Sequence, residues 1–212
     1  MSLIKYNNRS IKDLTTTPTA AGGGDTGALV HIKTLTASSS ATLSFVHGTD
    51  GVVLDSTYPI YKFEFINIHP ETDADYFSFN MSIDTGSNYN VAKVSTHFYA
   101  AHGEGDSPAA VGYDTGVDNH PDFTPNISLG PSVGNDNDQA ASGSMTLFNP
   151  SSTTFVKHFI SEIQEAHSDD LAVRTFTGGY VNSTSAVDAV QFKYNSGDID
   201  AGKIKLYGIK DS

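Results

Sequence analysis

The chain has 212 residues, with 12 Lys plus Arg against 24 Asp plus Glu, eight His, and neither Cys nor Trp. A formal net charge of −12 disfavours nucleic-acid binding, which rests on clustered Lys and Arg displacing counterions from phosphates. Without cysteine there is no disulfide, thiolate metal site or cysteine nucleophile, while 38 % hydrophobic and 10 % aromatic residues suffice for a packed core.

Residues 1–26 are mostly polar and include Thr15-Thr16-Thr17-Pro18 and Gly22-Gly23-Gly24, a composition that favours extended or turning backbone. They are expected to form an N-terminal arm with a flexible joint, leaving 27–212 as one β-sandwich domain. The amino end lacks the apolar centre of a signal peptide, and no stretch approaches the roughly 20 apolar residues of a membrane span. The expectation is a soluble chain that is not exported by the classical route and has no membrane partner.

Strands are predicted at 28–35 and 41–46. Alternation at period two then marks Tyr61, Phe63 and Phe65, and more fully Phe77, Phe79, Met81 and Ile83, with an aromatic face turned inward. The first run loses its pattern at Asn67, where the apolar positions shift to Ile66 and Ile68. Later strands are predicted at 93–101, 144–148, 171–176, 187–194 and 203–209. Phe155, Val156, Phe159, Ile160 and Ile163 fit helical spacing, but the β-branched neighbours Thr153 and Thr154 favour a strand.

The interval 102–142 is dense in glycine and proline and is predicted to be long loops with two short strands at most. Loops of that length inside a compact domain generally bind something or pack on a neighbour, so this interval is the leading interface candidate. Many short strands with regular punctuation indicate an all-β fold, a jelly-roll-like β-sandwich with the extended N-terminal arm.

Several motifs spell chemistry. Asp-Thr-Gly occurs at Asp25, Asp84 and Asp114, and aspartic proteases pair two such aspartates around one proton. Triple glycine precedes Asp25 where a buried strand should be, and although Asp84 follows an apolar strand, the nearest apolar-apolar-Gly after it, Ala110-Val111-Gly112, lies in the loop-rich stretch, so a turn with Asp as cap and Gly at positive φ is the reading adopted.

Three glycine patterns fail on context. Gly22-Gly23-Gly24-Asp25-Thr26-Gly27 has no strand before it and no helix after it, as a dinucleotide fingerprint requires. Between Gly197 and Lys203 the spacing is that of a P-loop, but Ile204 stands where Ser or Thr should hold Mg²⁺ and Asp198 and Asp200 repel phosphate. Gly130-Pro131-Ser132-Val133-Gly134 has a nucleophile-elbow spelling but is followed by polar residues where an apolar helix should begin.

Asn135-Asp136-Asn137-Asp138-Gln139 concentrates oxygen ligands for Ca²⁺ yet lacks the closing glutamate of an EF-hand; a solvated loop is favoured and a structural Ca²⁺ remains open. His69, His97 and His102 lack metal-ligand spacing, and Tyr89, Tyr113 and Tyr180 could stack on sugar rings. No catalytic, cofactor-binding or metal residue is assigned, and the chain is read as non-enzymatic.

A few phrases carry a family resemblance. They are Tyr6-Asn7-Asn8-Arg9-Ser10-Ile11-Lys12, Phe65-Ile66-Asn67-Ile68-His69-Pro70, Asp84-Thr85-Gly86-Ser87-Asn88-Tyr89-Asn90 and Pro150-Ser151-Ser152-Thr153-Thr154-Phe155-Val156-Lys157-His158-Phe159. More specific is the carboxyl end, Ser183-Thr184-Ser185-Ala186-Val187-Asp188 and then Ser196 through Ile209. Together they resemble structural proteins encoded by bacteriophages of marine bacteria. The resemblance implies a β-rich virion protein of the capsid exterior or tail, present in many copies and made in the host cytoplasm, with no catalytic residues.

The function expected is capsid decoration (cement), the alternative a tail-fibre or adhesin module that binds a host glycan or receptor. Expected partners are the major capsid protein or other virion proteins and further copies of the chain in a homo-oligomer, with a trimer preferred.

Overall fold

The computed structural model describes residues 28–211, and for 120–123 the backbone only. The predicted arm, 1–26, lies outside them. The described residues are all-β, with no helix and thirteen strands. In chain order these are β1 (Leu29–Thr36), β2 (Leu43–Val46), β3 (Ile60–Pro70), β4 (Asp75–Ser82), β5 (Lys93–Gly103), β6 (Ala109–Tyr113) and β7 (Asn119–Phe123). After them come β8 (Ile127–Val133), β9 (Ala141–Phe148), β10 (Lys157–His167), β11 (Leu171–Val181), β12 (Ala189–Tyr194) and β13 (Ile199–Ile209).

Every strand pairing is antiparallel, and together they form one sheet that folds back on itself and nearly closes. Four pairs nest in reverse order along the chain: β1 with β13, β2 with β12, β3 with β9, and β4 with β8. The further pairs β13·β3 and β12·β4 join these into two runs, β1-β13-β3-β9 and β2-β12-β4-β8. Strands β5, β6 and β7 are inserted between β4 and β8, and β10 and β11 between β9 and β12. The inserted strands continue the first run as β10, β11 and β5, with β6 and β7 sharing the outer edge of β5.

Alternation places the aromatic residues between the runs. Phe192 of β12 lies 5.2 Å from Phe63 and 5.1 Å from Phe65 of β3 by ring centroids, and Phe79 of β4 lies 5.0 Å from Phe159 of β10. None of these strand pairs is hydrogen-bonded, so the rings meet across the interior. All five rings are at most 2 % exposed. Removing a ring of this size from water contributes about 1.5–3 kcal/mol.

The loss of pattern at Asn67 has a local cause. Asn67 adopts φ 49°, and the β3–β9 register shifts between Phe65 and Ile68, so a bulge turns Ile66 outward and returns Ile68 to the core. The strand runs on to Pro70. The ambiguous 155–163 segment is strand β10 from Lys157, with Phe159 and Ile163 inward and Ile160 outward.

The interval 102–142 departs from expectation. In place of long loops it carries the end of β5, all of β6, β7 and β8, and the start of β9. Proline is accommodated where pairing is one-sided or irregular: Pro121 is in β7, which pairs with β5 alone, and Pro131 lies within the register shift between Gly130 and Val133 where β8 pairs with β4. The elbow-like Gly130-Pro131-Ser132-Val133-Gly134 is therefore mostly strand, with Ser132 at φ 63°, not the loop expected.

Candidate functional site

The inserted strands bury a different kind of face. Between β4 and β3 the interior is aromatic, but the inward positions further along are Lys93, Ser95 and His97 of β5, Thr175 and Thr177 of β11, and Ser161 and Glu165 of β10, each at most 4 % exposed. Thr175 Oγ1 donates to the Leu129 carbonyl at 2.6 Å. His97 Nδ1 lies 2.9 Å from Thr177 Oγ1, while its Nε2 is buried without a partner. Burial pushes the His97 imidazole down, opposed by the charge of Asp114.

Two cavities adjoin this stripe, and both include Tyr76 in their walls. One, of about 430 Å³, is lined by amides and hydroxyls, among them Ser78, Asn119, Asn126, Ser128 and Asn195. The other, of about 300 Å³, is walled by Tyr76, Tyr99, Asp114, His167 and Asp169, with Glu165 at its floor.

The opposite, outer face of the same strands is apolar. Cross-strand register sets Phe176 opposite Phe98 and Phe98 opposite Tyr113, and the two phenylalanine rings stack at 4.9 Å and 12°. Val111 is 83 % exposed, Ile160 59 %, Tyr113 53 % and Phe98 46 %. Arg174, which pairs with Glu162, lies 5.6 Å over the Phe176 ring. Gly178 stands opposite both Ile160 and Thr96, and the absence of its side chain opens a groove of about 320 Å³ that also takes in His158 and Tyr180.

The residues singled out in the sequence fall as follows. Asp25 lies outside the described residues, as does the glycine run before it. Asp84 sits in the turn after β4, with Thr85 at φ 60° and Gly86 at φ 76°. Its carboxylate accepts from the Asn88 amide and side chain at 2.9 and 2.7 Å and from Ser82 Oγ at 2.7 Å, bonds that hold it below the usual carboxylate range. Asp114 caps its own turn by accepting from the Gly116 N–H at 2.8 Å. Gly197, at φ 67°, belongs to the turn between β12 and β13.

Ser132 and His167 both line the smaller cavity, but His167 Nδ1 accepts the Asp169 N–H at 3.0 Å. That places the neutral imidazole proton on Nε2, the wrong tautomer for a base. The Asp169 carboxylate approaches the same nitrogen at 3.8 Å.

Asn135 donates to Asp73 and to the Glu71 carbonyl, and Gln139 accepts the Asp136 N–H, so the oxygen-rich loop is bonded within the fold. Among the described residues no three His, Asp or Glu side chains gather to hold a metal ion. His69 Nδ1 lies 2.7 Å from the Gln139 carbonyl oxygen, and His102 is exposed beside Asp106. Of the three tyrosines, Tyr113 belongs to the outer apolar face, Tyr180 to the glycine groove, and Tyr89 packs beside Gly86.

Sequence reading missed Glu165, Lys93 and the outer face centred on Phe98 and Val111. The inward alternation of Phe159, Ile163 and Glu165 along β10 was the available signal for the first. No family model matches the chain, and neither a curated protein nor a solved structure is significantly similar to it.

Proposed function

We propose that the chain is a jelly-roll virion protein that decorates and stabilises the capsid of a bacteriophage. The nested pairs β1·β13, β2·β12, β3·β9 and β4·β8 are what rolling up one long antiparallel ribbon produces, an architecture frequent in viral capsid and lectin domains. The strands β5–β7 and β10–β11 are then insertions that widen one layer.

The observation that carries the reading is the apolar outer face of those insertions. Val111, Ile160, Tyr113 and Phe98 are held out from the core on a regular sheet, and contiguous apolar patches of this kind mark protein contacts. It falls partly within 102–142, the interval expected to form an interface. A subunit docked there would stabilise the shell by mass action, binding the assembled state in preference to the dissociated one. The major capsid protein and further copies of this chain are the partners proposed, with a trimer as the specific assembly.

Particles purified through a density gradient and washed should retain the wild-type chain in fixed ratio to the capsid protein and should lose the Val111→Asp variant. Particles that carry no copy of the chain would overturn the proposal.

A second reading, a tail-fibre or adhesin module, is favoured by the larger cavity, whose amide and hydroxyl lining beside Tyr76 suits a sugar. It requires saturable binding to host cells that Asn126→Ala weakens.

A further inference from the structure

Four polar side chains in the wall of the larger cavity are each tied at one end and free at the other. Asn126 Oδ1 accepts from Asn80 Nδ2 at 3.2 Å, and Asn80 is in turn held by Lys93 Nζ and the Met81 N–H. Asn195 Oδ1 accepts from Ser78 Oγ at 3.2 Å, and Asp118 Oδ2 accepts from the Tyr113 hydroxyl at 2.8 Å. Asn119 Nδ2 donates to Ser95 Oγ at 2.9 Å and to the Val117 carbonyl at 3.0 Å.

The opposite ends make no bond among the described residues: the amide nitrogens of Asn126 and Asn195, the amide oxygen of Asn119 and the second oxygen of Asp118. Asn195 is exposed, and the half-buried Asn126, Asn119 and Asp118 keep these atoms open to solvent. Each donor or acceptor is therefore set in direction before a ligand arrives, which lowers the ordering cost of binding.

The wall selects a ligand class by what it lacks. Among the described residues no Lys or Arg lines the cavity and Asp118 is its one charged side chain, so on a chain of net charge −12 an anionic ligand is repelled. A single carboxylate already bonded to a phenol does not gather a metal ion, and no three His, Asp or Glu side chains stand together there. An apolar ligand would leave the amide ends without partners. Two amide donors beside two oxygen acceptors match groups that donate and accept through one atom, which is the property of a hydroxyl. Tyr76, Val117 and Pro125 add apolar surface for the C–H face of a ring, and about 430 Å³ is an ordinary size for a small-ligand site.

We propose that this cavity binds a neutral pyranose sugar through Asp118, Asn119, Asn126 and Asn195, and that Asp118 excludes acidic sugars. The proposal names the ligand of the second reading above and rests on that reading's cavity, not on where a particle carries the chain.

The test is titration of the full chain with the methyl pyranosides of glucose, galactose and mannose, each against its uronic acid, followed by amide chemical shifts. At least one neutral sugar should bind saturably with a dissociation constant on the order of 1 mM, and its uronic acid at least ~10-fold more weakly. Asn195→Ala, at an exposed position, should weaken the neutral sugar about 3- to 10-fold, as loss of one hydrogen bond implies. Asp118→Asn keeps the shape of the side chain and should bring the uronic acid within about 3-fold of its parent. The wild-type selectivity is readable whether or not either variant folds.

No saturable binding by any of the three sugars, equal wild-type affinity for a uronic acid and its parent, or an unmoved affinity in Asn195→Ala or selectivity in Asp118→Asn overturns the proposal. The two readings fail separately. Pyranoside binding by a chain that ignores host cells removes the adhesin and keeps this ligand, whereas host-cell binding by a chain that takes no pyranoside keeps the adhesin and removes the ligand.

Discussion

Lys93 Nζ donates to Asn80 Oδ1 at 2.6 Å, joining β5 to β4 through a side chain that no water reaches. The same ammonium donates to the Val91 carbonyl at 2.6 Å, and Asn80 Nδ2 donates to the Thr124 carbonyl at 2.9 Å and to Asn126 Oδ1 at 3.2 Å. These bonds tie the end of segment 114–126 to the two strands. They hold Asn126 in the wall of the larger cavity.

Burial pulls the Lys93 amine down to about 7 from 10.5. Between those values the unfolded chain binds a proton that the native chain does not, so this group makes stability rise with pH across the window. Above pH 10 the sign reverses, because burial raises Tyr61 to about 12 and its native phenol stays protonated while the unfolded one ionises. Urea denaturation should give the highest midpoint near pH 10, and Lys93→Met should flatten the rise between pH 7 and 10.

Glu165 acts in the opposite sense on the acid side. Unfolded, it ionises near 4.5, whereas burial keeps the native carboxyl protonated well above that. Its contribution is full below 4.5 and is lost as pH rises through the native value. Glu165→Gln should match the wild type at pH 4 and exceed it by about 1–3 kcal/mol at pH 8, measured by denaturant unfolding without guanidinium salts.

Phe192 is the hub of the core, with ring contacts to Phe45, Phe63, Phe65, Phe77 and Phe79. Truncation to Ala removes the group that joins the two runs of strands, and it should cost about 3–5 kcal/mol. A loss under ~1 kcal/mol in urea unfolding would mean that the runs do not depend on this ring.

Val111→Asp, by contrast, touches a side chain already 83 % exposed. Stability should change by no more than about 0.5 kcal/mol while retention on particles is lost. Equal retention of variant and wild type would remove the outer face from the interface.

Much of the framework was legible because alternation at period two needs only local residues. Phe77, Phe79 and Met81 announce β4 without knowledge of its partners, and Asn67 announced its bulge as a break in phase. The strands between 102 and 142 were hidden because β6 and β7 draw their order from the single edge of β5 they share, a contact remote from their own composition. The candidate site was hidden for a related reason. Lys93, His97 and Glu165 occupy inward phases of β5 and β10, yet charged residues ordinarily mark the solvent side. Nested pairing such as β1 with β13 joins residues far apart in sequence and has no local signature.

Electron cryomicroscopy of the purified particle would locate the chain on the proposed virion. A decoration protein should give density for this fold repeated over the capsid lattice, with the face of Phe98, Val111 and Tyr113 against a neighbouring subunit. Density confined to the tail, or none on the particle, would contradict that role.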